Sequence, residues 1–107
     1  MQEFFDLFKY DNNLIVSKYV SDSAFNYITL SLIHDNTGLS FLRGILKRRK
    51  FIYFRDITDV YISFEKVIIT VMIKKTFGKN ETKVYHFRFP NRYQANVFYK
   101  GIKMLSV

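Results

Sequence analysis

Two histidines, two neighbouring aspartates and a run of four consecutive cations are the side chains of this 107-residue chain whose types and spacing could do chemistry. His34 and His86 are its only histidines. A hydrolytic triad needs an imidazole beside a nucleophile, and a metal site needs several ligands at a set spacing. Neither histidine has such company. His34 ends a strand-like segment at a turn, and His86 stands between Tyr85 and Phe87 in an alternating one. Asp56 and Asp59 have the spacing of paired carboxylates. Arg55-Asp56-Ile57-Thr58-Asp59 reads better as a turn whose Asp side chains bond nearby backbone N–H groups. The absence of cysteine removes disulfides, thiolate metal sites and a thiol nucleophile together. There is no Gly-rich phosphate loop, EF-hand or nucleophile elbow. The sequence therefore predicts a protein that is not an enzyme and holds no cofactor or metal.

The cations carry more information. Residues 1–42 hold two basic against five acidic side chains, a net −3, whereas residues 43–107 hold fifteen against four, a net +11. The basic part opens with Arg43 and Lys47-Arg48-Arg49-Lys50 and runs into Phe51-Ile52-Tyr53-Phe54-Arg55. At a hairpin tip these cations could converge on one anion, with Arg43 and Arg55 flanking them on the paired strands. Lys74, Lys75, Lys79 and Lys83 form a second basic hairpin end, and Arg88, Arg92, Lys100 and Lys103 add charge around a C-terminal helix. Such asymmetry points to a polyanionic partner. The competing account is that charges occupy tips and outer faces because those surfaces are solvated, and that lysines on edge strands discourage aggregation.

The elements that must position these residues follow from periodicity. Twelve Phe and eight Tyr make the chain too apolar for disorder and sufficient for one continuous core. Its acidic start lacks a signal peptide's basic end, and no apolar run approaches the roughly 18 residues of a spanning helix. A soluble, cytoplasmic protein is expected. Alternation with period two predicts strands over 13–20, 25–34, 39–46, 51–55, 60–64, 67–76 and 82–89. Ser21-Asp22-Ser23, Asp35-Asn36-Thr37-Gly38, Glu65-Lys66 and Gly78-Lys79-Asn80-Glu81 are the turns between them. Both faces of 67–76 are apolar, which predicts a central strand covered on both sides. Asn91 is a good helix N-cap with Gln94 at the capping-box position. Val97, Phe98, Gly101, Ile102 and Leu105 form one apolar stripe over 92–105. A glycine in mid-helix costs about 1 kcal/mol relative to alanine, so close packing of Gly101 on the sheet is expected. The Phe4-Phe5-Asp6-Leu7-Phe8 cluster fits a short helix or a strand. These elements predict one domain over 1–107, mainly β, with about seven antiparallel strands in a bent, partly open barrel and one C-terminal amphipathic helix over 91–106.

This order of strands followed by one C-terminal helix, over residues 13–105, resembles the pleckstrin-homology-like superfold. That resemblance implies a binding module for anionic lipid headgroups or an acidic protein. Lipid-binding members carry their basic motif between the first two strands, where this chain has Ser21-Asp22-Ser23. The stretch Gly44-Ile45-Leu46-Lys47-Arg48-Arg49-Lys50-Phe51 is similar to their opening motif, but only 64 residues remain from Gly44, too few for that register. A PUA-like pseudobarrel, an RNA-binding fold, accommodates much the same string. The size, the Asp6-Leu7-Phe8-Lys9-Tyr10 opening and the basic centre at Arg43-Gly44 also resemble the small PrgU-type RNA-binding regulators of Gram-positive conjugative plasmids.

Single-stranded nucleic acid needs cations for its phosphates and exposed rings for its bases. Tyr53, Tyr61, Tyr99 and Tyr27 alternate away from apolar neighbours and could supply such rings. Duplex readers present an exposed helix to the major groove, whereas the helix here has a packing stripe. The sequence alone thus favours a regulatory module binding RNA or another single-stranded nucleic acid through Arg43, Lys47, Arg48, Arg49, Lys50, Tyr53 and Arg55. Lys74, Lys75, Lys79 and Lys83 are its secondary patch. The alternative is a pleckstrin-homology-like module on an anionic membrane surface or an acidic protein, and a third reading is a homo-oligomeric interaction domain.

Overall fold

The structure is a computed structural model that describes residues 2–8, 13–19, 25–33, 35–43 and 48–106, with the backbone alone for 13–19, 25–28 and 43. Helix α1 (Gln2–Asp6) precedes strands β1 (Asn13–Tyr19), β2 (Phe25–Leu32), β3 (Gly38–Arg43) and β4 (Arg48–Tyr53). A 3-10 turn at Phe54–Asp56 leads into β5 (Ile57–Ser63), β6 (Lys66–Ile73) and β7 (Glu81–Arg88), and helix α2 (Arg92–Leu105) ends the chain. Adjacent strands are antiparallel in the order β4-β3-β2-β1-β7-β6-β5. The expectation of a mainly β chain with a C-terminal helix is met.

Strands β5, β6 and β7 form a tight meander, and its junction with the β1–β4 group is narrow. β1 meets β7 only through Ser17↔Arg88 and Lys18↔Phe87. The outer strands β4 and β5 do not pair with each other among the described residues, so the strands do not close into a barrel. A two-residue junction lets the two groups turn away from one another, and α2 packs over β5, β6 and the 3-10 turn.

One face of the sheet carries the core. Leu39, Phe41, Ile52, Val67, Ile69, Tyr85 and Phe87 are buried there, together with Ala95, Val97, Phe98 and Ile102 of α2. The opposite face of β6 is open: Ile68 is half-buried and Met72 is exposed. Strand β6 is therefore interior to the meander but covered on one side only, contrary to the two-sided burial its apolar run predicts. The N-terminal cluster resolves as helix. Phe4 is buried with its ring centroid 5.4–5.8 Å from those of Phe5, Phe8 and Phe98 and 6.4 Å from Phe54.

Gly101 exists for this contact. A Cβ there would overlap the inner atoms of the Phe4 side chain. The close approach is thus to α1, not to the sheet as the sequence suggests. Asn91 caps α2 as expected, its side chain accepting from the Gln94 N–H at 2.9 Å. The reciprocal half of the capping box is not made, because Gln94 Oε1 is buried without a partner among the described residues.

Candidate anion-binding end

Strand β4 begins at Arg48, not at Phe51. Arg48, Arg49 and Lys50 are therefore ladder residues opposite Arg43, Leu42 and Phe41, not hairpin-tip residues. Lys47, with the rest of 44–47, lies outside the described residues, as do the Arg43 side chain, His34, Ser21-Asp22-Ser23 and the Tyr27 side chain. Strand geometry sends alternate side chains to opposite faces. Ile52, buried, marks the core-facing set that includes Lys50 and Arg48. Arg49, Phe51 and Tyr53 share the outer face.

That outer face is structured. Arg49 donates to the Ser40 hydroxyl at 3.0 Å. Phe51 is 48% exposed, and its ring stacks on that of Tyr53 with centroids 6.1 Å apart and planes 13° off parallel. The Arg55 guanidinium sits 5.2 Å from the Tyr53 centroid, within cation–π range. Tyr53 is half-buried between these neighbours. A ring already engaged in this way is a poor platform for a nucleobase. Tyr99 is likewise packed against the core with Lys103 5.4 Å from its ring, which leaves Tyr61 as the open one of the described candidates.

Registers decide which loops share an end of the molecule. β1 runs antiparallel to β7, so the end of β1 points toward the start of β7. β2 runs antiparallel to β1 and β3 to β2, which brings the end of β3 and the start of β4 to that same end. Ile73 pairs with Glu81, so the 74–80 turn also lies there. Lys50 of β4 lies opposite Phe41, whose ring centroid is 5.8 Å from that of Tyr85 on β7, and its charge reaches Glu81, so the β3–β4 and β6–β7 hairpins approach each other on this side. Along β6 the opposite end, at Lys66, is about 23 Å away at 3.3 Å per residue.

Glu81 is the carboxylate at the centre of this end. Its carboxylate accepts from Lys75 Nζ at 3.2 Å and lies 3.8 Å from Lys83 Nζ. The hydrogen bond from Lys75 holds its pKa below the ordinary carboxylate value, helped by the charges of Lys75, Lys83 and, more weakly, Lys50. Lys50 on β4 and Lys75 and Lys83 on the β6–β7 hairpin therefore act on a single group. Lys74 and Lys79 are exposed on the turn beside them.

Phe77 is the site residue that sequence reasoning missed. It stands on the 74–80 turn, 89% exposed, between Lys75 and Lys79. Gly78 follows with φ +91°, a conformation that favours glycine and lets the turn reverse. An aromatic embedded in a lysine-rich turn, away from any alternating pattern, was the available signal. Asp56 and Asp59 fall on the 3-10 turn and on β5, where Asp56 lies 3.9 Å from Arg55. No group of three or more His, Asp and Glu side chains that could hold a metal occurs among the described residues. No helix there is long and apolar enough to cross a membrane.

Solved structures share this architecture. Inner Membrane Complex Sub-compartment Protein 3 from Toxoplasma gondii superposes with a TM-score of 0.68 at 10% identity, over 98% of this chain and 83% of that one. The PH domain from PfAPH gives 0.64 at 13% identity, over 95% and 87%, and the PH domain from TgAPH 0.65 at 12%, over 95% and 88%. No protein-family model and no curated protein sequence matches the chain. The fold is pleckstrin-homology-like. The PUA-like alternative gives way to it, and nothing in these similarities supports the PrgU-type relation or an RNA partner.

Proposed function

We propose that residues 1–107 act as a single non-enzymatic binding domain that docks its basic end on an anionic lipid surface. The observation that supports this reading is that Lys50 of β4 and Lys75 and Lys83 of the β6–β7 hairpin act on one carboxylate, Glu81, in a pleckstrin-homology-like fold, with Lys74 and Lys79 exposed on the adjoining segment. Cations near an anionic leaflet contribute about 1 kcal/mol each, so four or five acting together suffice for reversible attachment. The membrane also named for the similar Toxoplasma protein is consistent with this partner class.

The fold and the occupied ring of Tyr53 weigh against the nucleic-acid reading that composition favours. Co-sedimentation of the full chain with phosphatidylcholine vesicles, with and without phosphatidylserine, tests the proposal. Binding should require the anionic lipid and weaken as salt rises past about 0.15 M, where the Debye length is about 8 Å. Failure to pellet with anionic vesicles at low salt, or tighter retention of single-stranded RNA or an acidic polypeptide than of vesicles, would overturn it.

A further inference from the structure

We infer that Phe77 is an apolar anchor that enters the bilayer while Lys74, Lys75 and Lys79 remain among the headgroups. This rests on the membrane reading above and extends it from charge attraction to insertion. Phe77 is 89% exposed at a turn, so neither face of its ring is supported by protein. A single exposed apolar side chain is ordinary on a protein surface; what sets Phe77 apart is its 89% exposure among three lysines, which leaves the whole ring free to leave water. The β6 and β7 ladder continues to Ile73↔Glu81, immediately below the turn, and presents the ring beyond the end of the sheet.

The neighbours select the occupant. Lysine is depleted at the cores of protein–protein interfaces, where its desolvation is costly. Three exposed lysines within three residues of the ring therefore suit a partner that keeps ammonium groups wet. A bilayer surface does so, because lysine stems lie along apolar material while their charged heads stay at the headgroup level. Interfacial segments combine a cationic polar side with Phe, Leu or Trp on the other. A nucleobase platform, by contrast, needs a ring backed by structure, which Phe77 lacks.

The chain contains no tryptophan, so Phe77→Trp places a single reporter at the proposed depth. Full-length Phe77→Trp and Phe77→Ser are compared with wild type on phosphatidylcholine vesicles with and without phosphatidylserine. Bound Phe77→Trp should shift its emission to the blue and be quenched by lipids brominated in their acyl chains. Phe77→Ser, whose circular dichroism should match wild type because the site is exposed, should partition roughly 30-fold more weakly, the loss expected for one buried aromatic side chain.

Wild-type binding to anionic vesicles together with an aqueous emission from vesicle-bound Phe77→Trp, or with an undiminished Phe77→Ser partition, overturns insertion and leaves charge-driven docking standing. Absence of any wild-type vesicle binding overturns both. A blue shift produced by single-stranded RNA at lower concentration than by vesicles also overturns the anchor.

Discussion

Opposite-sign substitutions within the basic end give the sharpest test of the docking geometry. Lys74 and Lys79 are exposed and lie on the 74–80 segment itself, while Glu81 is the carboxylate that Lys75 and Lys83 approach and that Lys50 influences more weakly. Replacing Lys74 and Lys79 together by Gln removes two cations at about 1 kcal/mol each, so vesicle affinity should fall about 30-fold. Glu81→Gln removes the opposing charge and releases Lys75 and Lys83, so affinity should rise about fivefold by the same scale. The control is Lys66→Gln with Arg92→Gln. Lys66 begins β6, and Arg92 lies over the Phe64 ring at 4.5 Å, both at the far end. That end is about 23 Å from Ile73 along the strand, nearly three Debye lengths at physiological ionic strength. The double control matches Lys74/Lys79 in net charge change but should weaken binding less than twofold. Titration of each variant with phosphatidylserine-containing vesicles at 0.15 M salt reads all three. Equal losses for the turn pair and the far pair would mean that net charge alone drives binding and that the converged end is not the contact. A Glu81→Gln that binds no tighter would remove Glu81 from the contact surface.

Three further outcomes follow from the fold and its charges. Gly101→Ala would ordinarily gain about 1 kcal/mol of helix propensity, but its Cβ overlaps Phe4, so a net destabilisation of about 1–3 kcal/mol is expected in urea unfolding. Phe4→Ala should cost about 3–5 kcal/mol alone, and Gly101→Ala added to it should cost less than in wild type but still destabilise, because the ring is gone while the Cβ of residue 4 stays 2.7 Å from the added one. Asn91→Ala should cost about 1 kcal/mol through the lost cap on the Gln94 N–H, read as a lower urea midpoint with an unchanged slope. The depressed Glu81 pKa adds stability that is complete above the unfolded carboxylate value of about 4.3 and lost as pH falls through the lower folded value. Wild type and Glu81→Gln should therefore differ by a constant amount from pH 7 to about 5 and converge in stronger acid. A difference that instead grows toward low pH would reverse the assigned sign.

The sequence alone determined what depends on near neighbours. Alternating side chains over β2 and β7 needed only the two-residue repeat of a strand, and Asn91 announced its cap because the group it bonds lies three residues on. The β3–β4 hairpin was legible in pairing, while its boundary was not. Arg48, Arg49 and Lys50 look like a solvated turn in composition, yet the ladder extends through them because Phe41 and Ile52 bury the inner face.

Everything that joins distant segments was left to the tertiary structure. Lys50 and Lys83 act on Glu81 together only because the β3–β4 and β6–β7 hairpins approach each other in the folded chain. Gly101 signalled a close approach, but the chain could not say that Phe4, 97 residues earlier, was the group approaching. Tyr53 offered a ring whose availability was decided by Phe51 and Arg55 in the folded strand. Periodicity and capping are local energies written into adjacent residues. Register, burial and the grouping of charges arise from packing the whole core at once.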